Sequence, residues 1–468
     1  MRLKMSQPVI RRAQAMQAEM HVPVAIVGAG ACGLTAALLL HDAGVDCVLL
    51  ERDAAPSGST ALSSGFIPAP GSQVQRARGV ADSAAQFAAD IQAKAHGTAA
   101  AHLVAAYSAA IGPALDALQD QHGLQWLLLD DFLYPGHSTH RMHAVPEKTG
   151  AALMARLQKA VAACDIPIVT QACVRELWLN AQDEVIGVGC QRPDGALEQV
   201  SCDALILACN GFGGNAEMVR QLLPEMRDAL FAGHAGNDGS AIAWGQALGA
   251  RLADLGGYQG HGSWAVPQGV LVSWALMMEG AVQINALGER FHDETSGYSE
   301  AAVQVLAQPG GMAWNVFDAD LLDFARSFPD FVEAEAAGAV KSCADVYALA
   351  ALIGCDVVRL QATLAGVTPG HVGHYGRVFT RALQAPFYAV SVTGALFHTQ
   401  GGLDIDATCR VLHQDGSPFA NLLAAGGAAR GVSGDAVWGY LSGNGLLSAI
   451  AGGAIAARTA SQLVENLT

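Results

Sequence analysis

The chain has 468 residues, of which 51% are hydrophobic and 15% charged, and it carries a net charge of −16. This length is enough to bury a large core and suggests two or three domains. The acidic balance argues against a nucleic-acid partner, because phosphate binding needs a basic surface. Ten cysteines without a Cys-x-x-Cys pair predict reduced thiols and a cytoplasmic protein. The two histidines of "HRMH" (140–143) have no acid or thiol nearby, so we expect no metal site.

The first predicted elements form a βαβ unit near the N-terminus. The apolar segment "VPVAIVGAG" predicts a buried parallel strand, "CGLTAALLLHDAG" predicts a helix that ends at Gly44, and "VDCVLLER" predicts the next strand. The uncharged run 22–40 is as long as a membrane span. Its glycines favour a strand, a turn and a helix, so we expect no membrane span.

The turn between this strand and helix carries the pattern Gly28-x-Gly30-x-x-Gly33. Glycines there let the backbone approach a pyrophosphate at a helix N-terminus, where peptide N–H groups favour an anion. Glu51 follows at the end of the second strand, where a carboxylate accepts hydrogen bonds from ribose hydroxyls. The strand, the helix and the acid together predict a dinucleotide site.

The remaining elements alternate between helical and strand-rich segments. Residues 82–124 and 147–164 have helical patterns, and 166–211 is rich in strand-forming residues. An acidic, alanine-rich helical stretch spans 318–365, and strands and glycines return from residue 385 up to a closing helix. The predicted organisation is an N-terminal extension (1–20), a nucleotide-binding domain in two parts (21–257 and 385–468), an inserted domain (258–384) and the closing helix (444–465).

Several further motifs follow the glycine fingerprint in a fixed order. They are a Ser-rich loop "GSTALSSGFI", "ACNGFGGN", "GNDG" before a helix, "NALGERFHDE", "HTQGG" and a closing "AAGG" turn with a helix. As a set, over about residues 22–460, they resemble the flavoprotein family of fumarate reductases, succinate dehydrogenase flavoprotein subunits and 3-ketosteroid dehydrogenases. The resemblance implies an α/β fold with a split Rossmann-like, glutathione-reductase-type FAD-binding domain and an inserted α+β cap domain over the isoalloxazine.

The resemblance also implies the residues that hold FAD. Family members with covalent FAD use a histidine in the Ser-rich loop, where this chain has serine, so we expect non-covalent FAD. A glutamate often contacts the ribityl chain where this chain has Gly427. The cofactor residues implied are Gly28, Gly30, Ala31, Cys32, Gly33, Glu51, Arg52, Ser57, Ser59, Thr60, Ser63, Ser64, Gly65, Val174, Ala208, Asn210, Gly211, Asn237, Asp238, Gly426, Gly443, Asn444 and Leu446.

The candidate catalytic residues are tyrosines and histidines. Tyr298 and Tyr440 stand where fumarate reductases have the arginines that donate a proton and clamp a carboxylate, and "SWALMM" replaces a proton-relaying acid and arginine. His261 and His398 match pocket histidines of the family. Tyr388, in "PFYA", matches a tyrosine of the ketosteroid enzymes.

These substitutions predict a neutral carbonyl substrate. A buried carboxylate needs cationic partners, whereas a ketone or enone needs only hydrogen-bond donors at its oxygen. The sequence therefore predicts an FAD enzyme that reduces or desaturates a C–C bond next to a carbonyl. Hydride exchanges with flavin N5, Tyr298 handles the α-proton, and His398 with Tyr388 or His261 polarises the carbonyl. A separate electron donor or acceptor is implied.

Two alternatives stay open. The first is a reductase of an unsaturated acid of the fumarate type, with cations supplied by Arg141, Arg377, Arg381 and Arg430. The second is a flavin-binding protein without catalysis. In either case, Arg290 and Glu294 are expected to form an internal ion pair that places Tyr298.

Overall fold

The fold is described from a computed structural model, over residues 9–467. Its strands fall into two larger sheets and two small ones. The strands are β1 (Val9–Arg12), β2 (Met20–Val27), β3 (Cys47–Leu50), β4 (Ile67–Pro68), β5 (Leu127–Leu128), β6 (Met142–Ala144), β7 (Ile168–Val169), β8 (Cys173–Leu179), β9 (Val185–Gln191), β10 (Leu197–Leu207), β11 (Leu230–Phe231), β12 (Leu252–Ala253), β13 (Tyr258–Ala265), β14 (Val270–Leu271), β15 (Val282–Ile284), β16 (Met312–Asp318), β17 (Lys341–Cys343), β18 (Phe387–Thr399), β19 (Gly402–Leu403), β20 (Arg410–Leu412) and β21 (Pro418–Ala424).

The helices range from single turns to 22 residues. They are α1 (Ala31–Asp42), α2 (Gly58–Ala61), α3 (Gln73–Ala77), α4 (Ala84–Lys94), α5 (Ala101–His122), α6 (Gly150–Ala163), α7 (Ala216–Leu222), α8 (Ser240–Leu248), α9 (Ala275–Met278), α10 (Tyr298–Leu306), α11 (Ala319–Ala325), α12 (Pro329–Ala336), α13 (Val346–Ile353), α14 (Val357–Ala365) and α15 (Asn444–Glu465).

The chain divides into two compact units. The first unit is built from 9–222, 233–258 and 398–467, and the second from 223–232 and 259–397. The predicted boundary after residue 384 falls instead within the second unit, because β18 continues its sheet to Phe397.

The first unit is an α/β structure around a nine-stranded mixed sheet. Its path runs β1-β8-β9-β10-β2-β3-β7, and β21, with β20 beside it, pairs with β10. Strands β21, β10, β2, β3 and β7 are parallel neighbours, and their apolar residues are buried, as in a sheet covered on both faces. β1 pairs with β8, so part of the predicted N-terminal extension belongs to this sheet.

The long closing helix α15 packs closely on α1 because it carries small residues at the contact. A methyl group at Gly453 would lie 2.6 Å from the carbonyl oxygen of Cys32. At Gly452 it would lie 3.2 Å from the hydroxyl of Tyr107, on α5. These two glycines therefore bring α1 and α5 close to α15 in the core of the first unit.

Two helical predictions need correction. The stretch 82–124 is two helices, because the chain turns through His96 and Gly97, both with positive φ. The stretch 318–365 is four short helices with β17 between them. The run 22–40 is a strand followed by a helix, as predicted.

Within residues 9–467 one helix, α5, is long and apolar enough to cross a membrane by length and composition. Half of its most apolar window is buried inside the protein. Helices α13 and α14 pass the same test only as a pair, and they are bent by 119°.

The second unit is built on a seven-stranded sheet. Its path runs β14-β13-β18-β16-β15, with β11 and β17 also paired to β18. Helices α9 to α12 contribute to one apolar cluster, which includes Leu276 and Phe331, and α13 and α14 contribute to another, which includes Leu349 and Leu360. The chain thus folds this unit around a core of its own.

Candidate functional site

The predicted cofactor residues of the first unit meet at one edge of its sheet. β2, β3, β10 and β21 run parallel, so their carboxyl ends lie side by side. The residues that follow these ends are Gly28, Glu51, Ala208 and Ala425. The carboxyl edge of a parallel sheet is where α/β proteins bind nucleotides.

The turn after β2 depends on the glycines of the fingerprint. Gly28 has a φ of +104°, and a methyl group there would lie 2.6 Å from the carbonyl oxygen of Ala208. A methyl group at Gly33 would lie 2.0 Å from the carbonyl oxygen of Gly28. At Gly30, the nearest atom to such a group is Thr60 Oγ1 at 4.0 Å. The space beside Gly30, at the start of α1, is therefore open to a pyrophosphate.

Glu51 holds this turn through its two carboxylate oxygens. Oε2 accepts a hydrogen bond from the Ala29 N–H at 2.9 Å, and Oε1 accepts one from the Asp53 N–H at 2.9 Å. The residue is only 7% exposed. Each oxygen keeps a lone pair, with which it could accept a ribose hydroxyl.

Ser59 is the centre of a polar cluster in the Ser-rich loop. Its Oγ accepts from Asn210 Nδ2 and from Asn237 Nδ2, both at 3.0 Å. Asn210 has a φ of +68°, a conformation that asparagine tolerates better than most residues. The buried Oδ1 of Asn237 has no hydrogen-bond partner among the described residues. The hydroxyl that accepts these bonds still has a proton to donate, and the Asn237 oxygen can accept one, so the cluster offers a donor and an acceptor to a polar ligand.

The rest of the loop is held by its own backbone. Ser63 Oγ donates to the Thr60 carbonyl at 2.7 Å and accepts from the Gly65 N–H at 3.1 Å. Gly65 has a φ of +73° and lies against Thr149. The loop 57–65 contains no histidine, so its side chains offer no imidazole for a covalent flavin bond.

The closing turn and the start of α15 contribute further residues to this site. Gly426, with a φ of +60°, packs against Cys32 of α1, and Gly443, with a φ of +90°, precedes α15. Asn444 is fully buried, and its Oδ1 has no partner among the described residues. The open glycine turn, the two unpartnered amide oxygens and the two helix starts all fit an FAD molecule.

His398 lies beside these turns at the end of β18. Its Nδ1 accepts a hydrogen bond from Gln400 Nε2 at 2.8 Å, so its proton is on Nε2. Burial lowers the pKa of His398 to about 4. A methyl group at Gly427 would lie 2.8 Å from Nε2, so the glycine in the family's glutamate position leaves room for this imidazole. His398 is thus a neutral donor.

Tyr440 does not offer an exposed hydroxyl at the start of α15. It is 6% exposed, and its hydroxyl accepts from the Gly445 N–H at 3.4 Å. That N–H belongs to the first turn of the helix, where an anion would otherwise bind. The Tyr440 hydroxyl therefore contacts the first turn of α15, and its catalytic role stays a prediction.

The second unit carries its own group of predicted residues, stacked as aromatic rings. His261 lies parallel to Tyr298, with ring centres 4.9 Å apart, and parallel to Phe397 at 5.5 Å. The edge of Trp274 meets the same imidazole at 5.8 Å. His261 Nδ1 accepts from the Ser263 N–H at 3.1 Å, so this histidine also carries its proton on Nε2. Burial lowers its pKa to about 3.

A buried ion-pair cluster lies directly before Tyr298 in the chain. Glu294 has no exposed side-chain surface and pairs with both Arg290 and Arg377. Its Oε1 also accepts from the Gln283 N–H at 3.1 Å, which links the segment to β15. The predicted pair of Arg290 and Glu294 is confirmed, with Arg377 as an additional partner. This cluster fixes the segment that leads into α10.

Tyr388 is not brought to the aromatic stack. It sits near the start of β18, faces Phe317 at 6.0 Å and pairs with that residue in register. Phe397 is nine residues further along the same strand, which corresponds to about 30 Å. Tyr388 therefore packs against its partner strand, away from the aromatic stack, and its contact with the substrate carbonyl stays a prediction.

The four arginines considered as carboxylate clamps all have carboxylate partners. Arg377 pairs with Glu294 and Arg381 with Asp318. In the first unit, Arg141 is fully buried against Asp82 and Asp90, and Arg430 pairs with Asp254 and Asp404.

The remaining cationic side chains of the second unit also have partners. Arg227, Arg326 and Arg359 each pair with a neighbouring carboxylate, and Lys341 donates to the Gly338 carbonyl. Together with the arginines already described, every arginine of this unit has a carboxylate within an ion-pair distance.

Sequence reasoning missed Gln400, Ser433 and Phe397. Gln400 stands inside the recognised "HTQGG" motif, so its position next to His398 in the chain was visible. Phe397 precedes "HTQGG" and Ser433 follows the closing "AAGG" turn, but only the fold brings Phe397 to His261 and Ser433 to Gln400. Within residues 9–467 no three His, Cys, Asp or Glu side chains cluster as metal ligands.

Comparison with known proteins identifies the family to which this chain belongs. The family model described as "FAD binding domain" matches residues 23–446. A probable fumarate reductase of Shewanella frigidimarina is 28% identical, over 94% of this chain and 74% of its own length. The open form of a flavocytochrome c3 fumarate reductase has a TM-score of 0.82 at 26% identity, covering 96% of this chain and 79% of that chain.

A third similarity concerns the fold alone. The 3-ketosteroid Δ4-(5α)-dehydrogenase of Rhodococcus jostii RHA1 has a TM-score of 0.76 at 22% identity, covering 97% of this chain and all of that one. The match spans both units, so this α/β fold with an inserted domain is shared by the two enzyme groups that the motifs resemble. The chain belongs to the FAD-binding-domain family, with FAD as its cofactor, and is an FAD-dependent oxidoreductase of the class that acts on carbon–carbon bonds.

Proposed function

We propose that this enzyme reduces or forms a C–C double bond conjugated to a neutral carbonyl, as in an enone or a cyclic ketone. The observation that carries the proposal is the pairing of the cations. All six arginines of the second unit, together with Arg141 and Arg430 of the first, already face carboxylates. A buried carboxylate substrate would need an unpaired cation, because the desolvation of a lone carboxylate costs several kcal/mol.

Neutral donors serve a carbonyl oxygen well. His398 and His261 each carry a proton on Nε2, and the unprotonated Nδ1 of each accepts a hydrogen bond. Burial lowers the pKa of each imidazole well below 7. Each is therefore an uncharged N–H donor at pH 7. A donor of this kind stabilises the negative charge that develops on a carbonyl oxygen when hydride reaches the conjugated carbon.

Tyr298 supplies the group that moves the α-proton. A phenol has a reference pKa near 10, so it can protonate a carbanion next to a carbonyl. The parallel imidazole of His261 holds the plane of the phenol ring. We assign the proton to Tyr298, the carbonyl to His398 and the orientation of the phenol to His261. Bound FAD supplies the hydride or accepts it.

A second candidate is the reduction of an unsaturated acid. The observation that favours it is that the curated relative described above is named a probable fumarate reductase and the most similar fold described above is a fumarate reductase. For this chain, such a substrate would require one of the paired arginines to exchange its carboxylate for that of the substrate.

The two candidates separate in a flavin assay. The purified yellow protein is reduced without oxygen, and its flavin absorbance is followed after addition of an enone or of fumarate; saturated ketones are tested against the oxidised protein. Reoxidation by enones, or bleaching by ketones, at least tenfold faster than any reaction of fumarate supports the first candidate. Faster reoxidation by fumarate contradicts it.

Tyr298→Phe then tests the assigned role. We expect normal FAD content and a loss of roughly 10²–10⁴-fold in turnover. The matched control is Tyr347→Phe, because Tyr347 lies in the same unit and is 64% exposed. Turnover of Tyr298→Phe within threefold of the control would exclude the tyrosine as the proton donor.

A further inference from the structure

A chain of three buried polar side chains ends on His398. Asn444 Nδ2 donates to Ser433 Oγ at 2.9 Å, and Ser433 Oγ donates to Gln400 Oε1 at 3.0 Å. Gln400 Nε2 then donates to His398 Nδ1 at 2.8 Å. Ser433 and Asn444 have no exposed surface, and Gln400 is 2% exposed. We propose that this relay holds His398 as its Nε2–H tautomer, which makes Gln400 a positioning residue for the proposed reaction.

The relay has a direction because its members are not interchangeable as donors. An amide nitrogen only donates and an amide oxygen only accepts, whereas the hydroxyl of Ser433 does both. With Asn444 donating at one end, the serine proton must go to Gln400 Oε1, and the Gln400 nitrogen faces the imidazole. The lone pair of His398 is then on Nδ1 and its proton on Nε2. If the side-chain amides of Asn444 and Gln400 were both rotated by 180°, every hydrogen bond of the relay would run in the opposite direction. His398 would then carry its proton on Nδ1, and Nε2 would have none.

Gln400 is held firmly enough to impose this choice. Its N–H donates to the Gly257 carbonyl at 2.8 Å, and its carbonyl accepts from the Gly431 N–H at 2.8 Å. Its two side-chain polar atoms each have a partner as well. A buried amide that loses one of its hydrogen bonds is left with an unsatisfied polar atom, so we expect neither the amide nor the imidazole to turn freely.

The other end of the relay is a cofactor residue. Asn444 begins α15, and its buried Oδ1 has no partner among the described residues. That oxygen is an acceptor for a donor on the FAD side. The relay therefore connects a side chain predicted to hold FAD with the histidine assigned to the substrate carbonyl, and no charged group takes part. Burial is the only cause of the lowered pKa of His398.

The experiment reads the tautomer directly. In the holoenzyme with ¹⁵N-labelled histidine, the ring nitrogen shifts of His398 are measured by NMR at pH 7 and assigned with a His398→Gln sample. We expect a protonated Nε2 and a bare Nδ1. A proton on Nδ1 would overturn the proposal. This readout needs no substrate, so failure of the relay and failure of the proposed function, which it otherwise rests on, are separate results.

Gln400→Glu is the informative variant. The carboxylate can still accept from Ser433, but it can only accept from His398, so the imidazole must place a proton on Nδ1. An anion at this distance raises the pKa of the imidazole by roughly 1–3. We expect a protonated Nδ1, a higher titration midpoint for His398, and a kcat that falls as pH rises through it. A tautomer and pH profile equal to those of wild type would overturn the proposal.

Two further variants serve as a control and as a replacement for Gln400→Glu. Gln414→Glu makes the same change at an exposed glutamine of the first unit, and it should leave the His398 spectrum unchanged. If Gln400→Glu does not retain FAD, Ser433→Ala replaces it. Without the hydroxyl the Gln400 amide has no preferred direction, so we expect both tautomers of His398 to appear. If His398 keeps only its Nε2–H tautomer in Ser433→Ala, the relay does not determine the tautomer and the proposal is overturned.

Discussion

His398 in the first unit and His261 in the second are held by different forces. Both are neutral because burial lowers the pKa of each, and both accept a hydrogen bond at Nδ1. For His398 the donor is the side chain of Gln400, the last member of a polar relay. For His261 it is the backbone N–H of Ser263, and the faces of the ring are covered by Tyr298 and Phe397.

The difference shows which property each environment controls. A side-chain relay decides which nitrogen carries the proton, and it can be reversed by one substitution. A backbone N–H cannot be mutated away, and stacked rings mainly fix the plane and position of the imidazole. We therefore expect His398 to be sensitive to changes of polarity and His261 to changes of shape. Substitutions in the two environments can test this contrast.

The largest effect should come from the ion-pair cluster that leads into the aromatic stack. Burial alone would raise the pKa of Glu294, but its hydrogen bond with Arg290 and the charges of Arg290 and Arg377 outweigh burial and lower it. Glu294→Gln leaves two buried guanidinium groups without a carboxylate. We expect a loss of about 3–5 kcal/mol in the free energy of unfolding, measured by urea denaturation of the holoenzyme.

The control for that variant is Glu289→Gln in the same segment. Glu289 pairs with Arg359 at the surface, where both side chains are about half exposed. An exposed pair contributes about 0–1 kcal/mol. Equal losses for the two variants would mean that the buried cluster does not hold the segment.

The next effect concerns the polarity of His398. His398→Leu removes the Nε2–H donor, and loss of one such donor typically lowers kcat by about 10²–10³-fold. Steady-state turnover of an enone should show this loss, while the flavin content stays normal. Turnover within threefold of wild type would remove His398 from the reaction.

A smaller effect is expected for the shape of His261. His261→Leu removes the ring between Tyr298 and Phe397, and an aromatic pair contributes about 0.5–1.5 kcal/mol beyond its buried area. We expect roughly a tenfold loss of kcat and a lower melting temperature. His261→Phe keeps a flat ring and should retain most of both. If the phenylalanine variant is as impaired as the leucine variant, the imidazole itself is required.

The smallest expected effect is on the pH dependence of turnover. Both histidines stay neutral in the folded protein down to a pKa of about 4 for His398 and about 3 for His261. Between pH 5 and 7 we therefore expect no inflection in kcat from either residue. An inflection near pH 6.5 that disappears in His398→Leu would show that this ring is charged in the working enzyme.

The same two pKa values predict how stability changes with pH. In the unfolded chain a histidine binds a proton below about pH 6.5, whereas these two stay neutral when folded. The unfolded state therefore binds more protons in this window, and stability falls as pH falls from 6.5 towards 4. Urea denaturation at pH 7 and pH 5 measures this, and the fall should be smaller in His261→Phe.

The nucleotide-binding half of the fold could be predicted from local patterns. The strand before Gly28, the glycines themselves and Glu51 depend only on residues close in the chain, and all lie where expected. The pair of Arg290 and Glu294 was also predicted, from two opposite charges close together in an otherwise apolar chain. By contrast, the sequence motif around Tyr388 suggested a site role, and the register of β18 with β16 placed that ring against Phe317.

Motif order and residue identities were enough to predict the family and the cofactor, because the glycine fingerprint and the motifs that follow it depend on short stretches of the chain. Which charged groups are paired with each other, and which nitrogen of each histidine carries the proton, became known from the folded structure. Those properties depend on contacts between segments distant in the chain, such as Gln400 with Ser433 or Arg377 with Glu294. Electrostatic and hydrogen-bond energies are set by distance and burial, and neither can be read from residue order.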